Sequence, residues 1–205
     1  MKYFLPLLLF LALPFSVGAQ CGTPGDSLLT GLPDLNQSYV DPVPPSQIIV
    51  TPSGNGTNLA AEGIAFRVTM VDYCLVPIVF FPFQDIWAES VDGGMVFCMG
   101  GTVASANTNA DGVSIIEGPF LAGGYSEAGF TVYLTGTPLV APILPVKVNS
   151  PDITGDLVVN IADVGVFAED FIGGAYSFRS DFYGDETLNI ADVAALSIAL
   201  NESCP

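Results

Sequence analysis

A thirteen-residue segment occurs twice near the C-terminal end, DITGDLVVNIADV at 152–164 and DFYGDETLNIADV at 181–193, offset by 29 residues and identical at eight of thirteen positions. A duplication at fixed offset constrains the fold more than composition does, because each copy must form the same supersecondary unit and the two must pack as near-equivalents. Acids and amides recur at positions 1, 5, 9 and 12: Asp152, Asp156, Asn160 and Asp163, then Asp181, Asp185, Asn189 and Asp192. Behind each copy the apolar residues fall at helical spacing, Val164, Phe167, Ala168 and Phe171 in the first and Val193, Leu196 and Leu200 in the second. Gly173-Gly174 ends the first helix. Each unit therefore reads as a polar loop followed by one helix.

Oxygen-bearing side chains at alternate loop positions, closed by a carboxylate from the following helix, suit calcium. That ion accepts six to eight oxygens in flexible geometry, whereas zinc prefers His and Cys. The chain has no histidine. The carbonyls of Val158 and Thr187 supply position 7, and the Thr154 hydroxyl is a weak ligand at position 3, where the second copy carries Tyr183, an improbable one. Position 6 holds Leu157 and Glu186 in place of glycine, and a residue with a Cβ is strained at the positive φ of a sharp turn. Two calcium sites are the expectation, with affinities of about 0.1–1 mM and the second weaker. Asn160 with Asp163, and Asn189 with Asp192, also form a helix-capping arrangement, which accounts for positions 9 and 12 but not for 1 and 5.

The doubled D-x-x-G-D-x-x-x-N-x-x-D, each copy leading into a helix at the C-terminus of an exported chain, resembles a type I dockerin module over residues 150–203. The resemblance implies a small all-α module of two loop-helix units related by a pseudo-twofold axis. Its core would be Ile161, Val164, Phe167, Phe171, Ile190, Val193, Leu196 and Leu200. It also implies a cohesin-like partner, contacted by residues just before position 12, here Ile161-Ala162 and Ile190-Ala191. The isoleucines have two readings, core or docking surface.

Upstream, Lys2, the apolar run FLPLLLFLALPF and the small residues up to Ala19 read as a secretory signal over 1–19. Residues 20–45 are rich in Pro, Gly, Asp and Asn without a sustained period, an extended lead-in. From 46 to 148 the pattern alternates with period two. Ile64, Phe66, Val68 and Met70 oppose Ala65, Arg67 and Thr69, and Phe130, Val132 and Leu134 oppose Thr131 and Tyr133. About seven strands in this span indicate an immunoglobulin-like β-sandwich, and TNADGVSIIEG resembles a hairpin of bacterial immunoglobulin-like repeats. The fold class is thus mainly β with an all-α C-terminal module. LVPIVFFPF (75–83) is too short and proline-rich to span a membrane and reads as a core strand. Four cysteines in an exported chain favour disulfides; three pairings are possible, of which Cys74 to Cys98 between strands, leaving Cys21 to Cys204 between chain ends, is the expected one.

Composition then limits function. A formal charge of −17 disfavours nucleic acid and anionic membranes as partners. Without histidine there is no Ser-His or Cys-His nucleophile system, and the acids of the β region (Asp72, Asp85, Glu89, Asp92, Asp111, Glu117 and Glu127) border turns without converging in sequence. The expectation is a secreted, non-catalytic, calcium-binding surface or adaptor protein, with the sandwich as spacer or adhesion domain. The alternative is a carbohydrate-binding or accessory component of polysaccharide degradation, using Phe83, Trp87, Tyr125 or Tyr133 as a sugar platform.

Overall fold

Period-two alternation buries one face of the longer strands, and this organises the computed structural model, which describes residues 32–205. In chain order the elements are β1 (Tyr39–Val40), β2 (Ser46–Ile49), β3 (Phe66–Thr69), β4 (Ile86–Ser90), β5 (Met95–Phe97), β6 (Val113–Ile116), β7 (Ala122–Gly124), β8 (Phe130–Leu134), β9 (Thr137–Pro138), β10 (Val146–Asn149), α1 (Ile161–Gly173) and α2 (Ile190–Ala199). The protein is mainly β. Hydrogen bonding divides the strands into four short sheets, ordered β1-β3-β6, β10-β2, β4-β8-β9 and β5-β7. All pairings are antiparallel except β10 with β2, where Val146 to Asn149 run parallel to Ser46 to Ile49. Isolated bridges at Thr51–Leu121, Ser126–Val148 and Phe130–Leu144 join neighbouring sheets.

The inward faces carry the alternating residues expected from the sequence: Phe66 and Val68 of β3, Phe130, Val132 and Leu134 of β8, and Val146 and Val148 of β10 are all buried. Phe66, Phe120 and Phe130 meet with ring centroids 5.5–5.9 Å apart, in edge or tilted geometry. Truncating such a ring to Ala costs about 3–5 kcal/mol. Strand β4 escapes sequence reading because its inward positions are Ile86, Ala88 and Ser90, two of them too small to mark a hydrophobic stripe.

LVPIVFFPF is not a core strand. Only Ile78 is buried; Leu75, Val76, Val79 and Phe80 are exposed. Asp72 explains the outcome, because its Oδ1 accepts from the N–H groups of Cys74 (2.8 Å) and Val76 (3.0 Å) and turns the chain. Leu75 and Phe80 take positive φ (61° and 58°), and Pro77 and Pro82 donate no ladder bonds, so the run forms a surface loop. The expected cysteine pairing also changes, since Cys98 bonds Cys204, across a sequence separation of 106. The chain end folds back beneath the β5-β7 pair and so brings Cys204, not Cys74, to Cys98. Cys74 is disulfide-bonded as well, and Cys21 lies outside the described residues, as does the signal segment 1–19. Closing so long a loop removes unfolded-state entropy worth about 4–5 kcal/mol in the chain-entropy treatment.

The C-terminal helices pack around a second, smaller core of Ile153, Val159, Phe167, Phe182, Leu196 and Ala199. Half of these are loop residues, from positions 2 and 8, that the helical period does not reveal. Conversely Ile161, Ile190, Phe171 and Leu200 are exposed rather than core. Helix geometry gives the reason for the isoleucines. Asp163 and Asp192 turn inward, and residues two earlier lie about 200° away around the axis. Gly174, with φ of 69°, ends α1 in the left-handed region. Among the described residues no helix is long and apolar enough to cross a membrane.

Candidate metal centre

Each loop is wound around its first aspartate. Asp152 is fully buried; its Oδ1 accepts from the N–H groups of Gly155 (3.0 Å) and Asp156 (3.2 Å), and its Oδ2 from that of Leu157 (2.8 Å). Asp181 does the same with Gly184 (2.7 Å), Asp185 (3.3 Å) and Glu186 (3.0 Å). The sixth residue closes this turn at positive φ, Leu157 at 69° and Glu186 at 59°, the conformation that a glycine would adopt without strain.

The twelfth residue closes the loop from the helix. Asp163, also fully buried, accepts at Oδ1 from Thr154 N–H (2.9 Å) and the Thr154 hydroxyl (3.0 Å), and at Oδ2 from Asn160 N–H (2.8 Å). Asp192 likewise accepts from Tyr183 N–H (2.9 Å) and Asn189 N–H (2.9 Å). Complete capping boxes are therefore present at both helices, Asn160 with Asp163 and Asn189 with Asp192. The fifth residue stays on the rim. Asp156 and Asp185 are exposed, and each accepts from the amide of the asparagine four residues on (3.2 and 3.1 Å). That same amide group donates to the carbonyl of Val158 (2.9 Å) or Thr187 (3.2 Å), so it spans two of the oxygens that a cation would bridge.

In the first loop one oxygen from each of Asp152, Asp156 and Asp163 lies within 4.8 Å of the others. Two oxygens sharing a calcium ion at 2.3–2.6 Å can be no farther apart than about 5 Å, so this trio fits one ion. The Thr154 hydroxyl adds a fourth oxygen beside it, 3.4 Å from Asp152 Oδ1. Among the described residues the matching trio of the second loop, Asp181, Asp185 and Asp192, does not gather so closely. There the Tyr176 hydroxyl donates to Asp181 Oδ2 (3.0 Å), while the Tyr183 side chain at position 3 is exposed. Burial and the neighbouring Asp181 push the Tyr176 phenol well above its ordinary value, so it stays protonated and able to donate.

Electrostatics make the first loop unusual. Burial raises Asp152 above the ordinary carboxylate range; the Leu157 N–H opposes this, and the charges of Asp163 and Asp156 raise it further. The three bases of the described residues are committed elsewhere: Arg67 to Asp41 (3.5 Å), Lys147 to Glu127 (2.6 Å) and Arg179 to Asp170 (2.8 Å). No described Lys or Arg thus forms an ion pair with the loop carboxylates. The donor set is entirely hard oxygen, the chemistry of calcium rather than of zinc.

Both loops rest on the β region. The Asp152 carbonyl accepts from Gly124 N–H of β7 (2.7 Å), and the Asp181 carbonyl accepts from the side-chain amides of Gln47 in β2 (3.1 Å) and Asn149 in β10. These supports, with Tyr176, are not legible in the repeat, because they come from residues outside it. Of the expected sugar-binding aromatics, Trp87 and Tyr133 stack on each other across β4 and β8 (5.7 Å between centroids), Phe83 packs against the core, and Tyr125 directly follows β7.

No family model matches this chain, and no curated protein matches it. A crystal structure of the Lin-41 filamin domain is similar over 57% of this chain and 95% of that one, at 13% identity and a TM-score of 0.32.

Proposed function

We propose that this protein is an exported, non-catalytic, calcium-binding adaptor or surface protein. In this reading residues 150–203 act as a dockerin-like module that holds calcium and docks a cohesin-like partner, and an immunoglobulin-like β region serves as spacer or adhesion domain. The observation that carries it is the meeting of Asp152, Asp156 and Asp163 within 4.8 Å, with every base of the described residues paired elsewhere. Like charges so placed repel, and a divalent cation relieves the repulsion. Docking draws support from Ile161 and Ile190, pseudo-equivalent residues that are 80% and 77% exposed. Isolated exposed apolar residues are ordinary, but a pair repeated by duplication at two helix starts is a matched surface.

Thermal unfolding with and without calcium tests the metal. At 10 mM calcium and a Kd of about 0.1–1 mM, the melting temperature rises by about 3–10 °C. Asp156→Ala combined with Asp185→Ala removes the rise; an unshifted wild-type protein ends the reading. A purified cohesin domain binding the wild type but not Ile161→Asp with Ile190→Asp tests the partner. A second reading, saccharide binding, draws on the stacked Trp87 and Tyr133 beside Glu89, whose Oε1 accepts from Trp87 Nε1 (2.8 Å). Retention on insoluble polysaccharide that is lost in Trp87→Ala supports it, and absence of retention removes it.

A further inference from the structure

The first loop is gripped from two sides, and one covalent bond joins the two grips. On one side lies the β5-β7 pair: Gly124 N–H donates to the Asp152 carbonyl (2.7 Å), and the Cα of Gly155 faces Val96 and Gly124. On the other side lies the chain end. After α2 the backbone turns at Asn201 (φ 70°), whose N–H donates to the Val159 carbonyl (2.8 Å). Val159 N–H in turn donates to the Glu202 carbonyl (2.9 Å), and Val158 forms a bridge with Ser203. Cys204 then bonds Cys98, which directly follows β5 and is itself held by a bond from its N–H to the carbonyl of Leu121 (2.9 Å), the residue just before β7.

The chain end thus backs positions 7 and 8 of the first loop, where the Val158 carbonyl is the backbone ligand expected of calcium. In the second loop the Thr187 N–H turns to Asp185 Oδ1 (3.0 Å) just as the Val158 N–H turns to Asp156 Oδ1 (3.0 Å), but Leu188, the counterpart of Val159, makes no strand-like backbone bonds to a neighbouring segment among the described residues.

We propose that the Cys98–Cys204 disulfide sets the calcium affinity of the first loop, so that the site is under thiol–disulfide control. This rests on the calcium reading above. With the bond closed, the strap holds Val158 and Val159 in the register that presents the carbonyl beside Asp152, Asp156 and Asp163. Opening it is a two-electron exchange with an external dithiol. One thiolate attacks a sulfur, the S–S bond breaks, and the second thiol resolves the mixed disulfide. Two protonated thiols are left on this chain and one disulfide on the reagent. The last residues, exposed at Asn201, Ser203 and Pro205, are then tied to the β region only by hydrogen bonds such as Asn55 Nδ2 to Glu202 Oε1 (2.9 Å). Ordering them again draws on the free energy of ion binding. Linkage makes the effect reciprocal: calcium favours the closed disulfide by the factor by which the closed disulfide favours calcium.

The test uses the full chain carrying Asp185→Asn, so that the first loop alone reports. Calorimetric titration with calcium chloride is run on the oxidised protein and on the same protein with Cys98→Ser and Cys204→Ser. About tenfold weaker binding in the serine variant is expected; equal binding in two folded proteins overturns the control while leaving the calcium reading intact. No binding by either form overturns both. Should the serine variant fail to fold, the oxidised protein is equilibrated in dithiol buffers with and without calcium, and Cys98 and Cys204 are followed by thiol labelling and peptide mass spectrometry. A tenfold linkage lowers the reduction potential by about 30 mV in calcium. An unmoved potential, in protein that binds calcium, overturns the proposal.

Discussion

The backbone of Gly123 in β7 lies so close to the carboxylate of Asp152 that a Cβ on Gly123 would sit 1.8 Å from Oδ2. Asp152 cannot retreat without giving up the N–H donors of Gly155, Asp156 and Leu157. Gly123→Ala is therefore expected to cost about 1–3 kcal/mol, the range for overpacking a tight site. It also weakens the calcium-dependent rise in melting temperature. Melting curves with and without calcium check both effects, and an unchanged curve would show that the loop yields freely.

The two copies should not respond alike. Asp156→Asn takes a carboxylate from the trio that meets within 4.8 Å and is expected to abolish most of the calcium-induced shift, whereas Asp185→Asn leaves most of it. Equal losses from the two variants would mean that the second loop closes around an ion as readily as the first.

Tyr176 caps the first aspartate of the second copy. Its hydroxyl is the side-chain donor to Asp181 Oδ2, and Tyr176→Phe removes it, leaving one lone pair of a fully buried carboxylate without that partner. A loss of about 1 kcal/mol is expected from chemical denaturation. The first loop, which lacks this hydroxyl, should keep its response to calcium unchanged.

How far the sequence exposed all this differs by residue. The loops were legible because Asp152, Asp156, Asn160 and Asp163 recur in the second copy, and the strands were legible where bulky residues alternate, as in Phe130, Val132 and Leu134. Position 2 and position 8 of the repeat were not. Ile153, Phe182 and Val159 supply core from inside a polar loop, where no period marks them. The exposure of Ile161 and Ile190 arises from the inward turn of the aspartates two residues later, a rotation that an apolar pattern alone cannot register. Tyr176 and Gly123 stand outside the repeat and acquire their meaning only when the chain folds back.

One ion pair should contribute a distinct share of the acid sensitivity of the fold. Asp170 near the end of α1 accepts from Arg179 in two bonds (both 2.8 Å) and from Ser177 and Ser180 (3.0 and 2.7 Å). The Arg179 guanidinium lowers its carboxyl from 3.8 to about 2. A depressed folded-state value means a contribution fully present above the unfolded value, from about pH 5 upward, and lost as pH falls from about 4 toward 2. The contribution is about 2 kcal/mol. Asp170→Asn lowers stability at pH 7 and flattens the loss over that window in urea melts recorded across pH.

Glu186 pairs an unfavourable backbone with an unfavourable charge, at φ 59° beside Asp181 and Asp185. It is exposed, so Glu186→Gly forfeits little packing and relieves left-handed strain of about 1 kcal/mol, partly offset by the looser unfolded chain. A net gain of a few tenths of a kcal/mol is expected, read as a higher midpoint in urea. A lower midpoint would mean that Glu186 makes a compensating contact in solution.

Between the last residue of β10, Asn149, and the first loop aspartate stand only Ser150 and Pro151, and both are buried. The duplicated unit is consequently no portable cassette. Moved alone to another scaffold, it would lose the floor under Asp152, the two amides that hold the Asp181 carbonyl, and the cystine anchoring its far end. Whatever could be transplanted with its properties intact is the whole span from the β strands to Cys204, which makes the first acidic loop a keystone of the β region rather than an appendage to it.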